Sequence, residues 1–212
     1  MTSIHVSIIT PMSRIENFST VYRSVETAVR GLDMTWEWLV TVDMDFVPKG
    51  LGCGFPNVIM DALSTWNDAD MTIGLGIRGN IQRNNSKKHA TGNWIKMLDD
   101  DTIMHERYFR VVLPFMRGYP DNAIVVGQMN HDGQPRLTPT ANHMKVGGVD
   151  QDQGIFPSYM MEEWVWEPFD YCSDGNLYRT RYELYPNKFI FINQNLSWYN
   201  KLRPDWPKDH IR

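Results

Sequence analysis

The sequence predicts an α/β/α sandwich built on a mostly parallel central sheet, and two observations lead to this fold class. Short apolar runs typical of buried strands alternate with helical patterns through the first 127 residues. Acidic residues directly follow two of these runs, at Asp43 and at Asp99-Asp100-Asp101. Because ligands of such sheets bind beyond the carboxyl ends of the strands, we expect these carboxylates to share one crevice.

The predicted elements begin with a strand over 6–9 and a helix over 18–29, where apolar residues recur at helical spacing until Gly31. A second strand over 36–42 is rich in aromatic and β-branched residues, and a glycine-rich turn over 50–54 follows it. A helix over 58–66 and a weak strand over 71–75 come next, followed by a helix within 78–90. The last predicted elements of this half are a strand over 94–98, a helix over 108–116 and a strand over 123–126.

The alternation ends after Gly127. Residues 128–154 are rich in Gly, Pro, Asn, Gln and Thr, which is typical of a mobile region on the substrate side. A further strand is predicted over 188–192, and Pro204 and Pro207 mark a tail. We therefore expect one domain over 1–212, with a ligand-binding half over 1–127 and an acceptor-side half over 128–212.

Composition excludes several classes of protein. The chain has 212 residues, 42% of them hydrophobic, which is enough for one good core. A net charge of -4 argues against nucleic acid as a partner. No apolar run approaches the roughly 18 residues of a membrane span. The first strand lacks the pattern of a signal peptide, and the two cysteines suit a reducing compartment, so we expect a cytoplasmic protein.

The three consecutive carboxylates are the most informative motif. They follow an apolar strand, so they are expected at a sheet edge. Mg²⁺ and Mn²⁺ prefer oxygen ligands and are usually held by one or two carboxylates together with substrate phosphates. The motif therefore predicts a metal site for a phosphate-bearing substrate. The structural alternative is a solvated loop or the acidic start of a helix.

Four segments carry a resemblance to a known family. In chain order they are 6–11 (VSIITP) followed by Ser13-Arg14, 36–43 (WEWLVTVD), Asn80 with Arg83-Asn84, and 90–95 (ATGNWI) leading to the three aspartates. In this order and spacing they resemble the GT-A-fold nucleotide-sugar glycosyltransferases of the family 2 type, whose metal motif is called DXD. The resemblance covers roughly the first half of the chain.

The resemblance implies a donor site and a metal site. Asp43 would accept a hydrogen bond from the imide N–H of a uracil or thymine ring, and Arg83 would bind the diphosphate. The donor implied by the resemblance is a UDP-sugar. The cofactor would be Mn²⁺ or Mg²⁺. The residues implied in binding the donor are Thr10, Pro11, Arg14, Asp43, Arg83, Asp99 and Asp100, and those implied in binding the metal are Asp99, Asp101 and His210.

A fainter resemblance in the second half points to the catalytic base. Residues 147–150 (GGVD) resemble an acceptor-side turn, and 173–179 (SDGNLYR) resemble the stretch that holds the base in inverting members, with Ser173 in place of its Glu. Asp174 would then deprotonate an acceptor hydroxyl. The alternative is that Asp174 caps a helix over 177–184. The implied activity is a hexosyl-type transfer to a glycan or glycoprotein.

Two other functions remain open at this point. Residues 39–47 fit the strand and Asp-x-Asp pattern of haloacid-dehalogenase-type phosphatases, with Asp43 as nucleophile and Asp45 as acid. A strand precedes this motif, however, and no convincing lysine motif follows it. The second alternative is a non-catalytic nucleotide-sugar-binding module, because Met44 and Ser173 replace acidic residues of the family pattern.

Overall fold

The structure is a computed structural model that describes residues 3–44, 46–63, 79–168 and 170–203. The described helices are α1 (Phe18–Val29), α2 (Gly79–Lys87), α3 (Tyr108–Gly118) and α4 (Ser173–Leu184). The described strands are β1 (His5–Met12), β2 (Thr35–Val42), β3 (Val58–Ala62), β4 (Trp94–Met97), β5 (Ile103–Met104), β6 (Ala123–Met129), β7 (Pro135–Leu137), β8 (Gly154–Pro157) and β9 (Phe189–Trp198).

All nine described strands belong to one sheet, in the order β3-β2-β1-β4-β8-β6-β9-β5, with β7 paired to β6. The first four strands are parallel, as predicted. The second half of the sheet is mixed, because β8 runs antiparallel to both β4 and β6 while β9 runs parallel to β6. The antiparallel β8 thus joins the two halves of the chain through one continuous sheet.

Two hydrophobic cores lie on opposite faces of the sheet, as an α/β/α sandwich requires. One core packs α1 and α3 against alternate residues of β1 and β2, such as Ile8 and Val40. The other core contains the intervening residues, such as Ile9 and Leu39, together with Leu177 and other residues of the second half. The period of two along each strand sends neighbouring side chains to different faces, so both faces of the central strands are buried.

Three sequence predictions about elements need correction. The segment predicted as a helix over 58–66 begins with the strand β3, which pairs with β2. The predicted mobile region over 128–154 contains the buried residues 148–154 and leads into β8. The helix predicted over 177–184 begins earlier, at Ser173, with Cys172 as its N-cap residue. The strand predicted over 71–75 lies outside the described residues.

The helix α2 approaches the carboxyl end of β1 closely. A Cβ atom added to Gly79, the first residue of α2, would lie 3.4 Å from Cγ of Pro11 and 3.0 Å from Nη1 of Arg83. A side chain at this position would require Arg83 to shift by a few tenths of an ångström, so the glycine leaves room for the arginine beside Pro11. Arg83 is thereby brought to the edge of the sheet where β4 ends. No helix in the described part of the chain is long and apolar enough to cross a membrane.

Candidate functional site

The three aspartates form a tight turn directly after β4, and the middle one supports the turn itself. Asp100 is 4% exposed. Its carboxylate accepts hydrogen bonds from the backbone N–H groups of Ser13 and Arg14, both at 2.7 Å, and from Nη1 of Arg14 at 2.5 Å. Asp100 and Arg14 therefore hold the β1–α1 connection against the turn. The side chains of Asp100 and Arg14 bind one another, and the donor contacts that the resemblance implies for them stay a prediction.

Asp101 is a buried carboxyl group in a crowded acidic environment. Its Oδ2 lies 3.3 Å from Nη1 of Arg14 and 3.7 Å from Nε of Arg203. Burial, with the neighbouring charges of Asp99 and Asp100, raises the pKa of Asp101 to about 7 in spite of the two arginines. The mutual repulsion of these carboxylates favours a positive charge beside them, so the carboxylate oxygens of the turn suit a divalent cation.

Asp99 faces the helix α2. Nη2 of Arg83 donates to Oδ1 of Asp99 at 2.6 Å, and Nη1 of Arg83 donates to Oδ1 of Asn80 at 3.1 Å. Burial alone would lower the pKa of Arg83, but the charges of Asp99 and Asp174 outweigh it and raise the pKa. Nε of Arg83 has no hydrogen-bond partner within the described residues. The predicted diphosphate-binding arginine therefore lies beside the predicted metal site.

Two carboxylates of the second half join Asp99. Among the described residues, Asp99, Asp150 and Asp152 form a group whose carboxylate oxygens lie within 4.8 Å of one another. The structure does not place Asp101 in this group. Lys96, on β4, is fully buried nearby, and its Nζ donates to the backbone carbonyl of Asp152. Burial lowers the pKa of Lys96 to about 8, against the opposing charges of Asp152, Asp150 and Asp99.

The sequence analysis did not assign Asp152 or Lys96 to the site. One signal for them was available: a lysine in the middle of the apolar β4 must find a buried counter-charge. The sequence gives no indication of which acidic residue supplies it.

Asp174 lies in the first turn of α4 and does not cap the helix, since Cys172 occupies the N-cap position. Burial raises the pKa of Asp174 to about 7, with contributions from Asp150 and Asp99 that Arg83 opposes. The side-chain amide of Gln151 lies between Asp174 and the indole of Trp166. With its nitrogen toward Asp174, it donates to the carboxylate and accepts the indole N–H at 3.2 Å. Arg83 therefore interacts electrostatically with both Asp99 and Asp174.

The carboxyl ends of β1 and β2 carry the other predicted donor contacts. Asp43 directly follows β2, and its backbone N–H donates to the carbonyl of Met12 at 2.9 Å. Thr10 is fully buried, and its hydroxyl accepts the indole N–H of Trp38 at 2.8 Å. The Thr10 side chain thus faces the core, and a donor contact from Thr10 would have to come from its backbone. Pro11 packs at the start of α2.

The structure brings together most of the predicted site. Asp43 follows β2 and the aspartate turn follows β4, one on each side of β1, while Asp174 of the second half interacts electrostatically with Arg83 and Asp99. His210, Asp45 of the phosphatase alternative and Arg78 lie outside the described residues.

The comparisons with known proteins give the family. The model of the family described as "Glycosyl transferase family 2" matches residues 78–184, a segment that includes Arg83, the aspartate turn and Asp174. The chain belongs to this family, and its class is therefore that of the GT-A-fold glycosyltransferases. No curated protein sequence matches the chain.

Solved structures support the same fold. The crystal structure of S. aureus TarS is similar with a TM-score of 0.71 and 12% identity, covering 92% of this chain and 36% of TarS. A second structure of S. aureus TarS, in complex with UDP-GlcNAc, is similar with a TM-score of 0.70 and 12% identity, covering 92% of this chain and 58% of that one. The mannosyltransferase PcManGT from Pyrobaculum calidifontis, in complex with GDP-Man and Mn²⁺, is similar with a TM-score of 0.67 and 12% identity. The match covers 99% of this chain and 59% of PcManGT. The chain thus spans between about a third and 60% of the length of these proteins.

Proposed function

We propose that this chain is a metal-dependent glycosyltransferase that moves a sugar from a UDP-sugar onto a hydroxyl group of a glycan or glycoprotein. The observation that carries the proposal is the position of Arg83, which contacts Asp99 of the aspartate turn at 2.6 Å and interacts electrostatically with Asp174. One cation thus lies between a proposed metal ligand and the proposed base. A diphosphate bound at Arg83 would lie near groups that can hold a metal and near a carboxylate that can deprotonate the acceptor.

On the donor side, Asp43 at the end of β2 accepts a hydrogen bond from the base, and the guanidinium of Arg83 binds the diphosphate. Arginine suits this role because its planar fork matches phosphate oxygens in a bidentate contact. Asp99 and Asp101 hold Mn²⁺ or Mg²⁺, which, when bound, stabilises the negative charge that grows on the leaving diphosphate. His210 is a further proposed ligand by the family resemblance alone.

Asp174 is the proposed general base of an inverting transfer. A carboxylate deprotonates the acceptor hydroxyl while that oxygen attacks the anomeric carbon. A pKa of about 7 leaves Asp174 largely ionised just above neutral pH while making it a stronger base than an ordinary aspartate. Gln151 donates a hydrogen bond to Asp174 and so orients the carboxylate.

The choice of UDP rests on the resemblance and is supported by TarS, which has been crystallised with UDP and with UDP-GlcNAc. The complex of PcManGT with GDP-Man and Mn²⁺ supports a metal-dependent reaction with a nucleotide-sugar. It also makes GDP-sugars the competing class of donor. The phosphatase alternative loses its basis, because the chain belongs to a glycosyltransferase family and Asp43 follows the second strand of the sheet.

Turnover separates the enzyme from a non-catalytic binding module. The purified chain would be incubated with UDP-GlcNAc, UDP-glucose, UDP-galactose and GDP-mannose, with Mn²⁺ or with EDTA, and free nucleoside diphosphate would be measured with and without a glycan mixture. We expect UDP release from at least one UDP-sugar that requires Mn²⁺, because the metal stabilises the leaving group. If the chain bound nucleotide but released nucleoside diphosphate from none of the donors, the result would favour the non-catalytic binding module. Release from GDP-mannose alone would contradict the choice of UDP.

A further inference from the structure

We propose that Asp152 is a positioning residue that holds the aspartate turn, residues 99–102, in the geometry needed to bind the metal and the donor. The inference rests on the proposed function of this turn. It adds a role for the second half of the chain on the donor side of the reaction, in addition to the base at Asp174.

The carboxylate of Asp152 contacts both ends of the aspartate turn. Its Oδ1 accepts the backbone N–H of Asp99 at 2.8 Å, and its Oδ2 accepts the hydroxyl of Thr102 at 2.7 Å. The turn is closed by a hydrogen bond from the N–H of Thr102 to the carbonyl of Asp99, at 3.2 Å. One side chain therefore fixes the point where the turn leaves β4 and the point where it ends.

Asp152 is itself held rigidly by the body of the sheet. It lies in a short 3-10 helix, Gln151–Gln153, which Asp150 and Gln153 cap reciprocally through side-chain and backbone hydrogen bonds. The side-chain amide of Gln153 donates to the carbonyls of Val126 on β6, at 2.8 Å, and of Leu137 on β7, at 3.3 Å. These hydrogen bonds thereby fix the aspartate turn, through Asp152, relative to β6 and β7.

Lys96 is a buried cationic group beside Asp152, but burial and the charges of Asp99 and Asp150 outweigh it and raise the pKa of Asp152 well above its ordinary value. Its Nζ donates to the backbone carbonyl of Asp152 and lies 4.9 Å from the centre of the Tyr108 ring. Asp152 and Lys96 are both 0% exposed. The contact of Nζ with the Asp152 carbonyl gives the buried lysine a hydrogen-bond acceptor and ties β4 to the 3-10 helix that carries Asp152.

The contacts assign Asp152 to positioning and leave metal binding to its neighbours. Both of its carboxylate oxygens already accept hydrogen bonds, and the residue is fully buried behind the turn. Asp99 keeps 27% of its side chain exposed and is the member of the acidic group best placed to meet a ligand. Asp152 therefore acts through Asp99, and partners of this kind typically change metal affinity about 10- to 100-fold when they are removed.

Two substitutions of Asp152 test the proposal. D152A removes both hydrogen bonds. D152N keeps them, because the amide oxygen can accept from Asp99 and the amide nitrogen can donate to Thr102. Mn²⁺ binding would be measured by electron paramagnetic resonance titration and UDP binding in the presence of Mn²⁺ by calorimetry. We expect D152A to weaken Mn²⁺ binding about 10-fold or more and D152N to stay within about threefold of the unsubstituted protein.

Glu37 provides the matched control. It is also a buried carboxylate that joins strands, since it accepts the hydroxyl of Ser7 at 2.6 Å and the backbone N–H of Thr91 at 2.7 Å, before the other end of β4. E37A should lower the melting temperature, as D152A does, but leave Mn²⁺ and UDP binding unchanged. Where D152A does not fold by circular dichroism, T102V, which removes only one of the two contacts, replaces it, with an expected weakening of about threefold.

Three results would overturn the positioning role. The first is unchanged Mn²⁺ affinity in folded D152A, or in T102V where that variant is used. The second is a D152N protein as weak as D152A, because this would show that the charge of Asp152 itself is needed and would make it a direct ligand. The third is an equal loss of binding in E37A, which would indicate a general effect of instability. If the unsubstituted protein binds neither Mn²⁺ nor UDP, the proposed function fails and the inference fails with it.

Discussion

Asp174, the proposed base, carries a carboxyl group whose pKa lies near neutral pH. Burial raises its pKa to about 7 from an ordinary value of 3.8, and Arg83 limits the shift. An acid whose folded-state pKa is raised is less ionised in the folded protein than in the unfolded chain. Its contribution to stability is therefore fully present below about pH 3.8 and is lost as the pH rises through about 7.

The same shift predicts the pH dependence of transfer. The active form of a base is its ionised form, so kcat/KM should rise as the pH passes through about 7 and level off above it. Asp174→Asn should lower transfer by about 10²- to 10⁴-fold and abolish this rise. The measurement is the pH profile of UDP release in the presence of an acceptor.

Asp170 is the matched control for this profile. Its carboxylate accepts the backbone N–H of Cys172 at 2.8 Å and the side-chain amide of Asn176 at 2.7 Å, so its role is local to the start of α4. Asp170→Asn should reduce stability and leave the inflection near pH 7 in place. Full activity of Asp174→Asn would contradict the assignment of the base.

The residues proposed for the donor side could be selected from the sequence because each belongs to a contiguous motif. Arg83 lies a fixed distance before the strand β4, and the three aspartates directly follow that strand. Asp152 could not be found in this way. Its partner atoms belong to residues 99 and 102, some 50 positions earlier, and only the antiparallel pairing of β8 with β4 brings these segments together.

At the scale of elements, α2 is joined to the segment made of residues 161–168 and 170 by a row of polar contacts. Asn80, Asn84 and Lys87 share one face of the helix by their spacing. Asn84 both donates to the carbonyl of Trp166, at 2.7 Å, and accepts its N–H, at 3.0 Å. Asn80 donates to the carbonyls of Glu167 and Asp170, at 2.8 and 3.0 Å. The helix that carries Arg83 thus fixes the segment that leads to Asp174.

Removing one contact of this row should loosen the segment. We expect Asn84→Ala to lower the free energy of unfolding by about 1–3 kcal/mol, because the backbone N–H and carbonyl of Trp166 would lose their partner. Urea unfolding measures the loss, and hydrogen exchange should quicken in that segment. Lys88→Ala, at an exposed position one residue beyond α2, should change neither. Unchanged exchange in Asn84→Ala would show that the row does not hold the segment.

The elements of the first half could be predicted because their patterns are strong. The helix α1 matches the predicted span, and β1, β2 and β4 contain or overlap theirs. The segment that forms β3 is short and apolar, and such runs cannot be assigned to strand or helix from periodicity alone. Here pairing with β2 decides the outcome. In β8, Gly154 and Pro157 obscured a strand that is stabilised by contacts from both sides.

At the scale of the whole molecule, the candidate site is formed by both halves of the chain around one sheet. The first half supplies Asp43, Arg83 and the aspartate turn, and the second half supplies Asp174 with its support from Gln151. Similar solved structures belong to longer proteins, of which this chain spans 60% or less. The donor side can be tested with this chain alone, because Asp43, Arg83 and the aspartate turn all lie at strand ends or on α2 within the described residues.

Calorimetric titration with UDP, with and without Mn²⁺, tests the central claim most directly. We predict that UDP binds only when Mn²⁺ is present and that Asp101→Ala abolishes this binding, because the carboxylates of the turn are the proposed ligands of a metal that would stabilise the charge of the diphosphate. Asp121→Ala, at an exposed residue beside Lys188, should bind as the unsubstituted protein does. The account would be contradicted if UDP bound equally well in EDTA, if Asp101→Ala bound normally, or if UDP did not bind under either condition.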